Sequence, residues 1–242
     1  MSQLLTTTPE TGSNPMDQIQ ISRISIQVSL SGYSFKIETP TQVRRSSWLS
    51  ADKIFSTPDF QVKYDSVEIS LFTPKCSLVP SAFFSKEKSR ELLSQVADLS
   101  PEDNVSFIEV PQFGAVMIYS DSTGESLSRA IAGTVLRKDG RKASVYPELF
   151  NLLGELSASK EYNKILASYR DGWLYLVIAQ GNNLKLCNSY CAADFTTAEY
   201  FLFLAIKKLQ LNPEVSTVCF NTPLSADEEM SLYRYFNSVQ QL

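Results

Sequence analysis

From residue 22 the chain alternates between apolar and polar positions. Ile24, Ile26, Val28 and Leu30 are separated by Ser25, Gln27 and Ser29, and Phe35 and Ile37 resume the rhythm after a corner. A period of two residues puts one side of a strand against a core. Ser31-Gly32 at the corner suits a two-residue turn, because Gly accepts positive φ, so a hairpin is expected over 22–38. "FQVKYDSVEISLF" at 60–72 predicts the third strand. Within "LVPSAFFSKEKSRELLSQVADLS" the period lengthens. Ser85 is a candidate N-cap, and Leu92, Leu93, Val96 and Leu99 form one helical face. Strands follow at 104–110 and 114–119. A helix over 124–135 carries Leu127, Ala130, Ile131 and Val135 on one side. Asp139-Gly140 turns the chain into a short strand at 142–146. Pro147 then opens a helix with a stripe of Leu149, Leu152, Leu153 and Leu156.

The second half begins again. "YNKILASY", "GWLYLVIAQ" and "LKLCNSY" predict three strands, joined by Asp171-Gly172 and by Gly181-Asn182-Asn183. Thr196 and Glu199 have capping-box spacing before "AEYFLFLAIKKL", a helix apolar almost all round and therefore expected to be deeply buried. "VSTVCF" at 215–220 predicts a strand. Ser225 and Glu228 form a second capping box, opening a last helix through Met230, Tyr233 and Phe236. A hairpin meander followed by alternating helices and strands thus occurs twice, offset by about 140 residues, too long a period for a solenoid. Two similar α/β lobes with mixed sheets are expected. The divisions are a disordered tail at 1–20, a first lobe at 21–158 and a second at 159–242, with the boundary in "SASKE".

Composition narrows the chemistry. The chain has 242 residues, 43% of them hydrophobic, and a net charge of −4. That is ample for a core and offers no general attraction to nucleic acid or anionic lipid. No apolar run approaches the roughly 18 residues needed to span a bilayer. The first twenty residues lack the basic and apolar regions of a signal peptide, so a cytoplasmic protein without membrane insertion is expected. There is no histidine. Ser-His-Asp and Cys-His pairs, imidazole bases and histidine metal ligands are therefore excluded. Cys187 and Cys191 are spaced C-x3-C, but Cys76 and Cys219 are isolated and zinc normally takes four ligands. Small buried side chains are the better expectation for all four. Asp227, Glu228 and Glu229 compensate a helix dipole. Arg44-Arg45 and the basic stretch from Arg137 to Lys142 lack the aromatic array that accompanies a nucleic-acid surface. The first strand carries no carboxylate, which argues against a two-metal nuclease.

The doubled order matches the actin-like ATPase arrangement, a duplication of an RNase H-like lobe. The stretches "ISIQVSLSGYSFKI", "SLVPSAFFSKEKSRELLSQV" and "LKLCNSYCAADFTTAEYFLFLAIKKLQLNPE" resemble a family of uncharacterised Bacteroides-type proteins with that fold. The resemblance runs from about residue 22 onward. It implies an α/β protein of two RNase H-like lobes, with mixed sheets and β-meander hairpins.

In actin-like ATPases the first hairpin carries D-x-G-S/T, whose carboxylate works through Mg2+ and whose backbone cradles phosphates. Here the matching residues are Leu30-Ser31-Gly32-Tyr33, so only the glycine is kept. In the second lobe Asp171 stands directly before Gly172 instead of two residues before it. The late turn that packs near adenosine falls at Phe220-Asn221-Thr222-Pro223, without glycine. Ordinary hairpin turns are expected, with no catalytic residue, metal ligand or cofactor. The implied function is a scaffold or a module that binds an unidentified protein or peptide. The alternative is a divergent nucleotide-binding protein or slow ATPase. ATP with Mg2+ would then lie between the lobes against Ser31, Gly32, Ser34, Arg170, Asp171 and Gly172.

Overall fold

A computed structural model describes residues 22–122 and 124–242. The tail expected at 1–20 lies outside the described residues. β1 (Arg23–Ser29) pairs antiparallel with β2 (Gly32–Glu38), and β2 with β3 (Val43–Arg45). A short parallel ladder joins β4 (Lys63–Tyr64) to β9 (Leu136–Arg137). β5 (Ser66–Leu71) lies parallel to β1, and β10 (Ser144–Pro147) parallel to β5. The sheet order is β3-β2-β1-β5-β10.

Two expectations are corrected here. The corner is Leu30-Ser31, and Gly32 already belongs to β2. Gly32 has φ +138°, and a Cβ there would sit 2.0 Å from the Leu49 carbonyl oxygen. Tyr33 N–H donates to that oxygen at 2.8 Å, and Leu49 N–H returns a bond of 2.7 Å to Tyr33. The glycine is thus required by a close backbone approach. The third strand is Val43–Arg45, and the run from Phe60 is not one strand. It divides into the end of a 3-10 turn (Pro58–Gln61), β4 and β5, and β5 is the fourth strand of the sheet. All three residues of β3 are exposed, so it shows no alternation to read.

On one face of this sheet Ile24, Ile26, Val28, Phe35 and Ile69 pack with Phe60 and with Ile131 and Val135, at the end of α2 (Glu125–Thr134). The register puts Ser25, Gln27, Ser34, Lys36 and Ser70 together on the other face. Between β5 and α2 the chain inserts a small antiparallel sheet, β6-β8-β7, from β6 (Cys76–Pro80), β7 (Val105–Val110) and β8 (Ala115–Ser120). Leu93 of α1 (Ser89–Ser94) packs on its Val116 and Ile118. The helix expected from Ser85 begins four residues later, after a 3-10 turn, because the Ser85 hydroxyl bonds Glu87 and caps no backbone. It also ends before Val96, which is 64% exposed.

The second sheet comprises β11 (Asn163–Arg170), β12 (Trp173–Gln180), β13 (Asn183–Cys191), β14 (Thr217–Phe220) and β15 (Ser238–Gln241), ordered β13-β12-β11-β14-β15. Counted within each sheet, both orders are 3-2-1-4-5. α4 (Phe195–Lys208) and α5 (Ala226–Tyr233) cover one face, where Ala198, Leu202 and Ile206 meet Ile165, Leu176 and Phe220.

α4 differs from expectation twice. Asp194 is its N-cap, accepting from Thr197 N–H at 2.7 Å, and Thr196–Glu199 is not a capping box. The helix is also not deeply buried. It lies on the outside of the sheet, with Tyr200 60% exposed and Phe201 and Phe203 half-buried. The capping box at Ser225 and Glu228 is present as expected. α5 ends at Tyr233, and a final strand, β15, follows.

α3 (Glu148–Glu155) follows β10 with Pro147 as its cap residue, one position earlier than expected. Its leucine stripe crosses to the other face of the second sheet, onto Leu166, Tyr175 and Val177, alongside Phe72 and Met117. The second sheet is therefore covered on both faces.

Candidate functional site at the lobe junction

Where the two sheets meet, polar groups replace the apolar core. Glu148, the first residue of α3, is fully buried. Its carboxylate accepts from the hydroxyls of Ser70 in the first lobe and Ser168 in the second, and from Asn221 Nδ2 at 2.9 Å. Gln27 Nε2 of β1 donates to the Asn221 carbonyl oxygen at 3.0 Å. One carboxylate thus ties both lobes to the helix that runs between them. Burial raises the Glu148 carboxyl above its ordinary 4.5, opposed in part by these hydrogen bonds. The residues after β14 are occupied as well, since Thr222 Oγ1 accepts from Tyr169 N–H at 3.0 Å.

Nearer the surface the two hairpin corners touch. Ser31 N–H donates to Asp171 Oδ2 at 3.1 Å, across 140 residues of sequence. Arg170 Nη2 donates to Ser31 Oγ at 3.3 Å, and Arg170 Nε stands 3.5 Å from Asp171 Oδ1. The Arg170 guanidinium also lies over Trp48, 3.6 Å from the ring centroid. Ser29 Oγ completes the group, 3.1 Å from Ser31 Oγ. Burial pushes the Asp171 carboxyl up. The hydroxyls of Ser29 and Ser31, the Ser31 N–H and Arg170 outweigh it and hold the group below its ordinary 3.8. Asp171 and Gly172 both have positive φ, 49° and 75°, as this tight turn requires.

Of the six residues singled out from sequence, Ser31, Arg170 and Asp171 meet one another directly. Gly172 only shapes the turn, and Gly32 seats the Leu49 backbone. Ser34 faces away from the contact, into a cavity of about 80 Å³ on the polar side of the first sheet, lined also by Ser25, Lys36, Glu155 and Gln241. Leu30, at the carboxylate position of the first hairpin, is 71% exposed. Among the described residues no group of three or more Cys, Asp or Glu side chains is placed to hold a metal. Burial pushes the Cys187 thiol up to about 12. Glu148, Gln27 and Trp48 escaped the sequence reading, and Asn221 entered it only as part of the late turn after β14. A Glu beginning a helix reads as dipole compensation, and a Gln alternating with isoleucines reads as the solvent side of a strand.

Two sheets of one strand order, a helix passing between them and paired hairpins meeting at the cleft define a protein of the actin-like ATPase fold. A Bacteroides thetaiotaomicron protein with that fold and unknown function superposes with a TM-score of 0.65 at 17% identity, over 96% of this chain and 94% of its own. The PilM-PilN type IV pilus biogenesis complex gives 0.52 at 11% identity, over 91% and 88%. The cytoplasmic domain of EpsL, an inner membrane component of the type II secretion system of Vibrio cholerae, gives 0.50 at 12% identity, over 84% and 83%. The chain belongs to DUF3822, a family of proteins of unknown function, whose model matches residues 14–239. No curated protein matches the sequence.

Proposed function

We propose that this protein is a non-catalytic scaffold of the actin-like fold that works in the cytoplasm and holds a protein or peptide partner. The observation that carries this reading is the contact between the hairpins. The Ser31 N–H, which in a nucleotide-binding relative would cradle phosphate, is spent on the carboxylate of Asp171. A second negative group brought to that carboxylate would be repelled. The Leu30 side chain also supplies no carboxylate for Mg2+. Similarity to the PilM-PilN type IV pilus biogenesis complex supports the partner-binding half, because that neighbour is a chain within a complex. Four free cysteines suit a reducing compartment. Among the described residues, no helix is long and apolar enough to cross a membrane.

A thermal melt with and without millimolar Mg-ATP tests the reading. A ligand at about 100 times its dissociation constant stabilises by roughly 2.7 kcal/mol. For a chain of this size each kcal/mol raises Tm by about 2–4 °C. No shift is expected, together with recovery of one reproducible partner when the tagged protein is purified from its host. A reproducible Mg-dependent rise overturns the reading in favour of a divergent nucleotide-binding protein.

A further inference from the structure

We propose that the two hairpin corners form a latch that holds the inter-lobe cleft closed, with the Asp171 carboxylate of the second lobe seated in an anion nest made by Ser29 and Ser31 of the first. The latch stands apart from the scaffold reading, since it concerns how the lobes are held and not what they hold.

The lobes are joined at two depths. The inner joint is the Glu148 node, where a buried carboxylate receives hydrogen bonds from Ser70, Ser168 and Asn221. Breaking it would strand a charge away from water, so it stays made. The outer joint is the hairpin contact, and its partners are only partly covered. The Arg170 and Asp171 side chains are 29% and 28% exposed. Water and salt reach such bonds, so they open far more readily than buried ones. The geometry is also balanced between gain and cost. Arg170 stacks on Trp48 and bonds Ser31, yet its Nε is buried with no hydrogen-bond partner. Opening removes that cost. A made inner joint and a releasable outer one are the parts of a hinge with a catch. When the catch releases, the Ser29–Ser31 corner and the Asp171 turn gain access to solvent while the Glu148 node holds.

The nest also has the composition of an anion site: the Asp171 carboxylate accepts from the Ser31 N–H at 3.1 Å, Arg170 Nε stands 3.5 Å from it, and the Ser29 and Ser31 hydroxyls, 3.1 Å apart, lie beside it. A free carboxylate can therefore replace the one supplied by Asp171. This makes the latch testable by chemical rescue.

In a Trp173→Phe background Trp48 is the only tryptophan. Asp171→Gly removes the carboxylate and keeps the positive φ, which Gly accepts without strain. The expected result is a roughly tenfold faster hydrogen exchange at the Ser31 amide and increased acrylamide quenching of Trp48. Sodium formate should return both to within about twofold of the parent, and formate should leave the parent unchanged. Should Asp171→Gly fail to melt cooperatively, Arg170→Lys, which keeps the charge and loses the planar stack on Trp48, is measured in its place, together with a salt titration of the parent. Faster Ser31 exchange and greater Trp48 quenching support the latch when formate reverses them in Asp171→Gly or, where Arg170→Lys replaces that variant, when they appear in it or rise with salt in the parent. The proposal is overturned if the folded variant and the salt titration both leave Ser31 exchange and Trp48 quenching at parental values, or if formate has no effect on a folded Asp171→Gly variant that exchanges faster.

Discussion

Gly32 and Gly172 stand one position apart in the two hairpins, Gly32 as the first residue of β2 and Gly172 within the turn, and they answer to different constraints. A methyl on Gly32 would collide with the Leu49 carbonyl oxygen at 2.0 Å, in addition to the strain of φ +138°. A methyl on Gly172 meets nothing nearer than the Ala192 carbonyl oxygen at 3.7 Å, so only φ +75° opposes it. Gly32→Ala is expected to cost about 3 kcal/mol or more, and Gly172→Ala about 1–2 kcal/mol, measured by urea denaturation. Equal losses would show that contact with Leu49 is not what selects Gly32. Glu148 makes a separate prediction at this scale. Its folded pKa is raised above the ordinary 4.5, so the folded state binds its proton more tightly than the unfolded chain does. Stability attributable to this group is greatest below about pH 4.5 and declines as pH rises through the raised folded value. Glu148→Gln should flatten that decline, read as Tm against pH beside the parent.

At the scale of elements, the helices show how a local signal can be right in kind and displaced in position. Thr196 and Glu199 have the spacing of a capping box, but Asp194 takes the cap because its carboxylate reaches Thr197 N–H. Asp194→Ala should cost about 1 kcal/mol in urea melts, and Thr196→Ala less than about 0.5 kcal/mol. The reverse ranking would restore the Thr196 cap. Long strands such as β11 and β12 were legible because their apolar runs end in turn residues, Asp171-Gly172 and Gly181-Asn182. β3 and β15 were not. Val43–Arg45 is wholly exposed, and Ser238–Gln241 buries only Val239, so neither carries a pattern. These strands exist because a neighbouring edge offers them hydrogen bonds.

At the scale of the molecule the two lobes share a strand order and differ in what their inner faces meet. Leu166, Tyr175 and Val177 of the second sheet receive the leucines of α3. The equivalent side of the first sheet is polar and borders a cavity. The duplication, the first hairpin, the three-stranded meander of the second lobe and the capping box at Ser225 could be determined from the sequence by itself. They are matters of periodicity and near neighbours, which strand pleat, helix pitch and turn chemistry dictate within a few residues. Only the tertiary structure decided that Glu148 is a buried junction between lobes, that Gly32 serves Leu49, and that Asp171 answers Ser31 across 140 residues. Each of these depends on where two separately patterned lobes come to rest against each other. That is settled by packing across the whole chain, to which no local window of sequence has access.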